Sequence, residues 1–318
     1  MELLLKPEDR GYPVEYLLSR IRGRRARLIK DWGRLMRETE PLDRISSAGP
    51  GGAKAPEGSW TGLLREYRWV YFQMDAELRG IFESFFLYSE LRTLFICLRH
   101  VKKGTTGEVN QLLDISLLSE KLKKVLATSE DLGSAAAGVE RMFLTLSADF
   151  AGLETIVEKE GLRGIEQRLV NLYLAHTVSS KLHPLMREFF TRLIDSRNIM
   201  TLYKHLRSDE KSAPLFISGG TIAMSRCRNI LGSGDMIAFN ALVNESAGIK
   251  TAQPDPAQVE NALYRGTTRS LRKAGREPFG PGPILDYLWR CSIEALNLSV
   301  LFFGRGLERD ELMAELVQ

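Results

Sequence analysis

Residues 186–206 read Met-Arg-Glu-Phe-Phe-Thr-Arg-Leu-Ile-Asp-Ser-Arg-Asn-Ile-Met-Thr-Leu-Tyr-Lys-His-Leu. Apolar side chains fall at Met186, Phe189, Phe190, Leu193, Ile194, Ile199, Met200, Leu202, Tyr203 and Leu206. That three- and four-residue spacing lines one face of an α-helix. Segments 111–127, 139–158, 162–176 and 258–273 carry the same period, and the alternation of a strand is nearly absent. The sequence therefore predicts an all-α protein. Its one strand-like piece, Pro214-Leu215-Phe216-Ile217-Ser218-Gly219-Gly220, is short and ends in a glycine pair, so it reads as an extended connector turning into a helix that starts near Thr221. The Gly-, Pro- and Ser-rich stretch 46–59 reads as a mobile loop.

The long helix has copies. Setting Phe82 against Phe190, an offset of 108, also superposes Phe86 on Ile194, Leu91 on Ile199, Leu94 on Leu202, Phe95 on Tyr203 and Leu98 on Leu206. A second shift of 99 sets Trp289 on Phe190, Ile293 on Ile194, Glu294 on Asp195, Asn297 on Asn198 and Leu301 on Leu202. Upstream, Ile165-Glu166 and Leu169 match Val259-Glu260 and Leu263, so the repeated piece is larger than one helix. These matches divide the chain into three helical units, 1–110, 111–212 and 213–318, with the loop 46–59 inside the first. The first copy departs from the other two where Leu87 and Glu90 replace the acid and the Asn.

Composition excludes several classes. The chain has 318 residues, 44% hydrophobic and 26% charged, with 3 Cys, which rules out a disordered, collagenous or disulfide-scaffolded protein. Only Leu3-Leu4-Leu5 is apolar before Lys6, too short a stretch for a secretory signal, so a cytosolic location is expected. The most apolar 19-residue window, 81–99, holds Glu83, Glu90, Arg92 and Arg99, which a bilayer-spanning helix would not carry. A net charge of +4 is too small to imply a polyanionic partner without a local cluster.

Reactive constellations are missing from the pattern. Cys97, Cys227 and Cys291 never form a closely spaced pair, and His100, His176, His183 and His205 show no i, i+4 pairing, so no metal site is expected. Gly49-Pro50-Gly51-Gly52-Ala53-Lys54 has neither the spacing nor the flanking strand of a phosphate-binding loop, and no catalytic residue or cofactor is assigned. Gly219-Gly220 reads as a tight turn rather than an anion cradle. Asp195 and Asn198, echoed by Glu294 and Asn297, sit within mostly apolar helices and need hydrogen-bond partners if buried. They read as structural polar contacts that fix helix register. Two runs are basic and free of acids: Arg20, Arg22, Arg24, Arg25, Arg27 and Lys30, then Arg265, Arg269, Arg272, Lys273 and Arg276. Arg20, Arg24 and Arg27 share one helical face.

Four stretches in register carry a resemblance. They are Tyr16-Leu17-Leu18-Ser19-Arg20-Ile21-Arg22; Ile194-Asp195-Ser196-Arg197-Asn198-Ile199 with Leu202 and Leu206-Arg207; Phe216-Ile217-Ser218-Gly219-Gly220; and Pro283-Ile284-Leu285-Asp286-Tyr287-Leu288 through Glu294, Asn297-Leu298 and Gly304. In these the sequence resembles the C-type (also called d-type) rotor component family of V-type and archaeal-type rotary ATPases. It departs at Cys291-Ser292, where the family has Lys-Glu, and at Ser299, where it has Arg. The resemblance implies an all-helical funnel of three similar subdomains around a pseudo-threefold axis, seated on the cytoplasmic face of the membrane proteolipid ring. It also implies a peripheral, non-catalytic coupling part that receives central stalk subunits D and F, with the membrane stator subunit as a further candidate partner. Neither nucleic acid nor a small-molecule substrate is implied. In this setting Arg20, Arg22, Arg24 and Arg27 are the candidate partner interface.

Two other readings compete. A helical RNA-binding protein would use runs 20–30 and 265–276, but only Tyr16, Trp32 and Tyr264 flank them for base stacking. A helical enzyme would gather a site around Asp195 and His205, and would need a deep pocket of titratable groups there.

Overall fold

The computed structural model describes residues 3–38, 56–207, 214–247, 255–304 and 306–317. Residues 46–55 of the glycine-rich stretch lie outside these, and 56–59 form the first turn of a helix. Among the described residues there are fourteen α-helices: α1 Val14–Arg25, α2 Trp32–Glu38, α3 Pro56–Gln73, α4 Ala76–Lys103, α5 Thr106–Ile115, α6 Glu120–Thr128, α7 Leu132–Phe143, α8 Leu153–Ser179, α9 Pro184–Arg207, α10 Met224–Ser233, α11 Met236–Ala247, α12 Pro256–Ala274, α13 Gly282–Phe303 and α14 Arg309–Glu315. Extended pairing among them is confined to one antiparallel bridge between Leu4 and Leu118. No helix of the described residues is long and apolar enough to cross a membrane.

The chain separates into two compact bodies, one made of Met1–Gly11 and Tyr67–Arg187, the other of Tyr12–Glu66 and Glu188–Gln318. In the first, α4 is the central element. Asp75 caps its N-terminus by accepting from the Leu78 N–H at 2.8 Å, and Gly104 at φ 71° closes its C-terminus. Its core face buries Phe82, Phe85, Phe86, Leu91, Leu94 and Leu98, each contributing roughly 1.5–3 kcal/mol of burial. Tyr71 packs its ring edge on Phe86 with centroids 5.0 Å apart.

Two predicted helices prove shorter than their apolar period. The period over 111–127 breaks at 116–119, where Leu5 donates to the Leu117 carbonyl and Ser119 to the Leu3 carbonyl, each at 2.8 Å. The period over 139–158 breaks where α7 ends and Gly152, at φ 87°, opens α8. A left-handed residue cannot continue a right-handed helix, and glycine takes that conformation without steric cost. The segment 162–176 lies inside α8, beyond a bend at Gly161.

In the second body, Ile199, Leu202 and Tyr203 of α9 pack with Cys227, Phe239, Leu242 and Val259 from α10, α11 and α12. The connector 214–217 is non-helical as the sequence predicts, while the helix after it starts at Met224 rather than at Thr221. Asp255 caps α12 by accepting from Gln258 N–H at 2.7 Å, with Pro256 in the first turn. α13 buries every residue from Gly282 to Trp289, and the Trp289 indole donates to Thr268 Oγ1 at 2.8 Å.

Candidate functional site

The polar residues of the repeat act on backbone. On α9, the Asn198 side-chain oxygen accepts from the Ile217 N–H at 2.8 Å while its Nδ2 donates to the Ile217 carbonyl at 2.8 Å. On α13, Asn297 does the same to Val317, at 2.9 and 2.8 Å. In extended backbone the N–H and C=O of one residue point to the same side. A carboxamide offers one acceptor and one donor side by side and so matches both. The clamped residue lies 19 positions downstream in one case and 20 in the other.

The first copy keeps half of this device. Residue 90 falls on residue 198 at the offset of 108, and there Glu90 Oε1 accepts from the Leu117 N–H at 2.6 Å, 27 positions downstream. The sequence reading treats Glu90 as a departure from the repeat, yet it holds the extended segment that breaks 111–127. Its signal was an acid in an apolar run at the repeat offset. Burial pushes the Glu90 carboxyl up to about 7, opposed by the hydrogen bond from Leu117. We expect Asn198→Ala or Asn297→Ala to leave two buried backbone groups without partners and to cost about 2–4 kcal/mol in denaturant unfolding. Asn→Asp at either position keeps the acceptor but sets a buried carboxylate oxygen against the clamped carbonyl, so at neutral pH it should cost at least as much.

The paired acids take different partners. Asp195 accepts from the Thr221 N–H at 3.1 Å and the Ile222 N–H at 3.0 Å, which fixes the turn leading to α10. A Cβ on Gly220 would collide with the Asp195 carboxylate, so that glycine allows the close approach. Glu294 instead accepts from the Ile29 N–H at 2.7 Å, which ties the segment after α1 to α13.

The first basic run is spread over several directions. Arg20 donates to the Tyr16 hydroxyl at 3.0 Å and lies over its ring. Arg22 donates to the Pro278 carbonyl at 3.0 Å. Arg24 pairs at 2.6 Å with buried Glu66, which also accepts from the Tyr287 hydroxyl at 2.7 Å. Arg25 pairs at 3.0 Å with Asp286, whose carboxylate also holds Arg290 at 3.0 Å. Arg27 and Lys30 are exposed. Three buried carboxylates, Glu66, Asp286 and Glu294, thus hold Arg24, Arg25 and Ile29 around the apolar contacts of Leu17, Leu18 and Ile21. Burial lifts Glu294 to about 6, opposed by the Ile29 N–H and reinforced by the charge of Glu66. Burial lowers the Arg25 guanidinium, and Asp286 opposes that.

Sequence reasoning missed Glu66 and Asp286, because neither repeats and because their partners on α1, Arg24 and Arg25, lie far from them in the chain, although Asp286 also holds Arg290 one helical turn away. The cysteines are buried, and burial raises the Cys97 thiol to about 12, away from nucleophilic chemistry. Among the described residues no group of three His, Cys, Asp or Glu side chains is placed to hold a metal ion.

A family model described as ATP synthase (C/AC39) subunit matches residues 60–315. The chain belongs to this family. No curated protein matches the chain. The ATP synthase (C/AC39) subunit family is a V-type ATP synthase family whose members are non-catalytic components, so this chain is read as a component of such an enzyme. The match to the C/AC39 family takes in α4, α9 and α13 with all but the last clamped residue, and it leaves α1 and α2 outside. Of the family departures, Ser299 Oγ lies 3.0 Å from Ser59 Oγ, and Cys291 is buried beside Tyr287.

Proposed function

We propose that this chain is the central-rotor adaptor of a V-type or archaeal-type rotary ATPase. It would be the socket that links central stalk subunits D and F to the membrane proteolipid ring, coupling ATP hydrolysis or synthesis to proton or sodium transport. In this reading it sits peripherally on the cytoplasmic side, within reach of the membrane stator subunit. Its three units, 1–110, 111–212 and 213–318, would form a funnel around a pseudo-threefold axis. The observation that carries the reading is the family match over 60–315, and the recurring clamp supports it. A torque-bearing adaptor needs stiffness, and each clamp ties a long helix to a segment that its own backbone cannot reach.

Arg20, Arg22, Arg24 and Arg27 would serve the partner face to different degrees. Arg24 is committed to Glu66, so it would act by holding α1 in place, while Arg20, Arg22 and Arg27 point charge outward. Co-purification from native membranes should bring catalytic, stalk and ring subunits with this chain, and their absence would sink the reading. Charge reversal at Arg20 and Arg27 together should leave the fold intact and weaken stalk binding in a salt-dependent way. Unchanged affinity would make the run a solvated face.

A further inference from the structure

The two acid-free basic runs meet. They are separated by more than two hundred residues in the chain, yet Arg22 of the first donates to the carbonyl of Pro278, two residues beyond the end of the second. The charge of Arg272 also reaches Arg25. Asp286, the carboxylate under this junction, is fully buried and taken by Arg25 and Arg290, so it does not neutralise the surface above it. Arg22, Arg272, Lys273 and Arg276 are exposed. Beside them, on the turn Pro278-Phe279-Gly280-Pro281, the Phe279 side chain stands 66% exposed. That turn is held by the Arg22 bond and by Gly280 at φ 93°, so an apolar ring is presented by a constrained backbone rather than tucked away.

We infer that the junction of α1 with the α12–α13 turn is a docking surface for an acidic segment of another protein, whose carboxylates meet Arg22, Arg272 and Arg276 and which covers Phe279. This rests on the rotor reading for the partner's presence in the complex, and the surface itself rests on the junction. Three kinds of polyanion fit the charge, and the structure separates them. An anionic bilayer is engaged most firmly by a helix with an apolar stripe to insert, and the stripe of α1, Leu17, Leu18 and Ile21, is already buried. A single-stranded nucleic acid stacks successive bases on several aromatic faces, and the one open ring this junction presents is Phe279, since Tyr16 packs on Tyr12 at 4.7 Å and lies under Arg20. Arginine with aromatic side chains is the composition of protein interface hot spots, and a guanidinium reads a carboxylate through two parallel hydrogen bonds.

The test places a photo-crosslinking phenylalanine analogue at position 279 of the full chain in native membranes, with the cross-linked segment identified by mass spectrometry. The expected product joins position 279 to a protein segment carrying several Asp or Glu. The pair Arg272→Glu and Arg276→Glu should cut its yield about tenfold, and Lys at the partner's acidic positions should restore it. A cross-link to lipid, to RNA or to a segment without acids overturns the proposal, as does a yield indifferent to the charge reversal. If catalytic and stalk subunits co-purify while no cross-link forms, the docking surface fails and the rotor reading stands. If they do not co-purify, the rotor reading fails on its own.

Discussion

Replacing both Arg25 and Arg290 with Met should destabilise the protein by about 3–5 kcal/mol, because it strands a charge in the core. Asp286 has 0% exposure and holds those two guanidinium groups at 3.0 Å each, one from α1 and one from its own helix. The surviving carboxylate would have neither water nor a cation, whereas the Met side chains keep most of the packing of the Arg stems. Either single change leaves one cation in place and should cost well under half as much. Adding Asp286→Asn to the double variant removes the stranded charge and should return a large part of the loss. Urea unfolding of these four variants against the unsubstituted protein checks this. If the double variant is no weaker than the sum of the two single ones, the carboxylate is not relying on both cations.

Glu90→Gln should make the protein more stable at pH 8 while leaving it nearly unchanged at pH 4.5. Burial raises the folded-state carboxyl from 4.5 to about 7. The folded protein therefore binds this proton more tightly than the unfolded chain, and stability falls as pH rises through that window. A shift of that size corresponds to about 3 kcal/mol lost between pH 4.5 and pH 7, with little further change above. Gln keeps the acceptor for Leu117 and has no proton to lose, so its advantage should grow with pH and then level off. The opposing cations near the site, Lys123 and Arg68, are present in both proteins. Glu294, lifted to about 6, adds a similar slope to both and cancels in the comparison. Parallel stability curves for the two proteins would show that Glu90 stays ionised in the fold.

Much of the secondary structure was legible because it is local. The 3.6-residue period of α9 and α12 is written in neighbouring side chains, and their ends fall within two residues of the predicted ones. The break at 116–119 was not legible for the opposite reason. Leu117 and Leu118 continue the apolar period, and what pulls them out of the helix is Leu3, Leu5 and Glu90, which lie far away in the chain. The same distinction runs through the site. Asn198 and Asn297 announce themselves by repeating, whereas Glu66 meets Arg24 across 42 residues and Glu294 meets Ile29 across 265, with no pattern linking either pair. The basic run looked like one feature and is two, since Arg24 and Arg25 turn inward to buried acids while Arg20 and Arg27 stay outside.

The second body is drawn from both ends of the chain, Tyr12–Glu66 and Glu188–Gln318, and this orders events on the ribosome. At roughly 5–20 residues per second, α1 leaves the tunnel on the order of ten seconds to a minute before α13 can receive it. The body spanning Tyr67–Arg187 is complete in sequence long before then, so it can finish while α1 is still waiting. During that interval Leu17, Leu18 and Ile21 stand in water with a high density of arginine around them. Charges flanking an apolar stretch suppress its self-association. Glu66 follows Arg24 by only 42 residues, but Arg25 guards the nascent helix until Asp286, on α13, is synthesised.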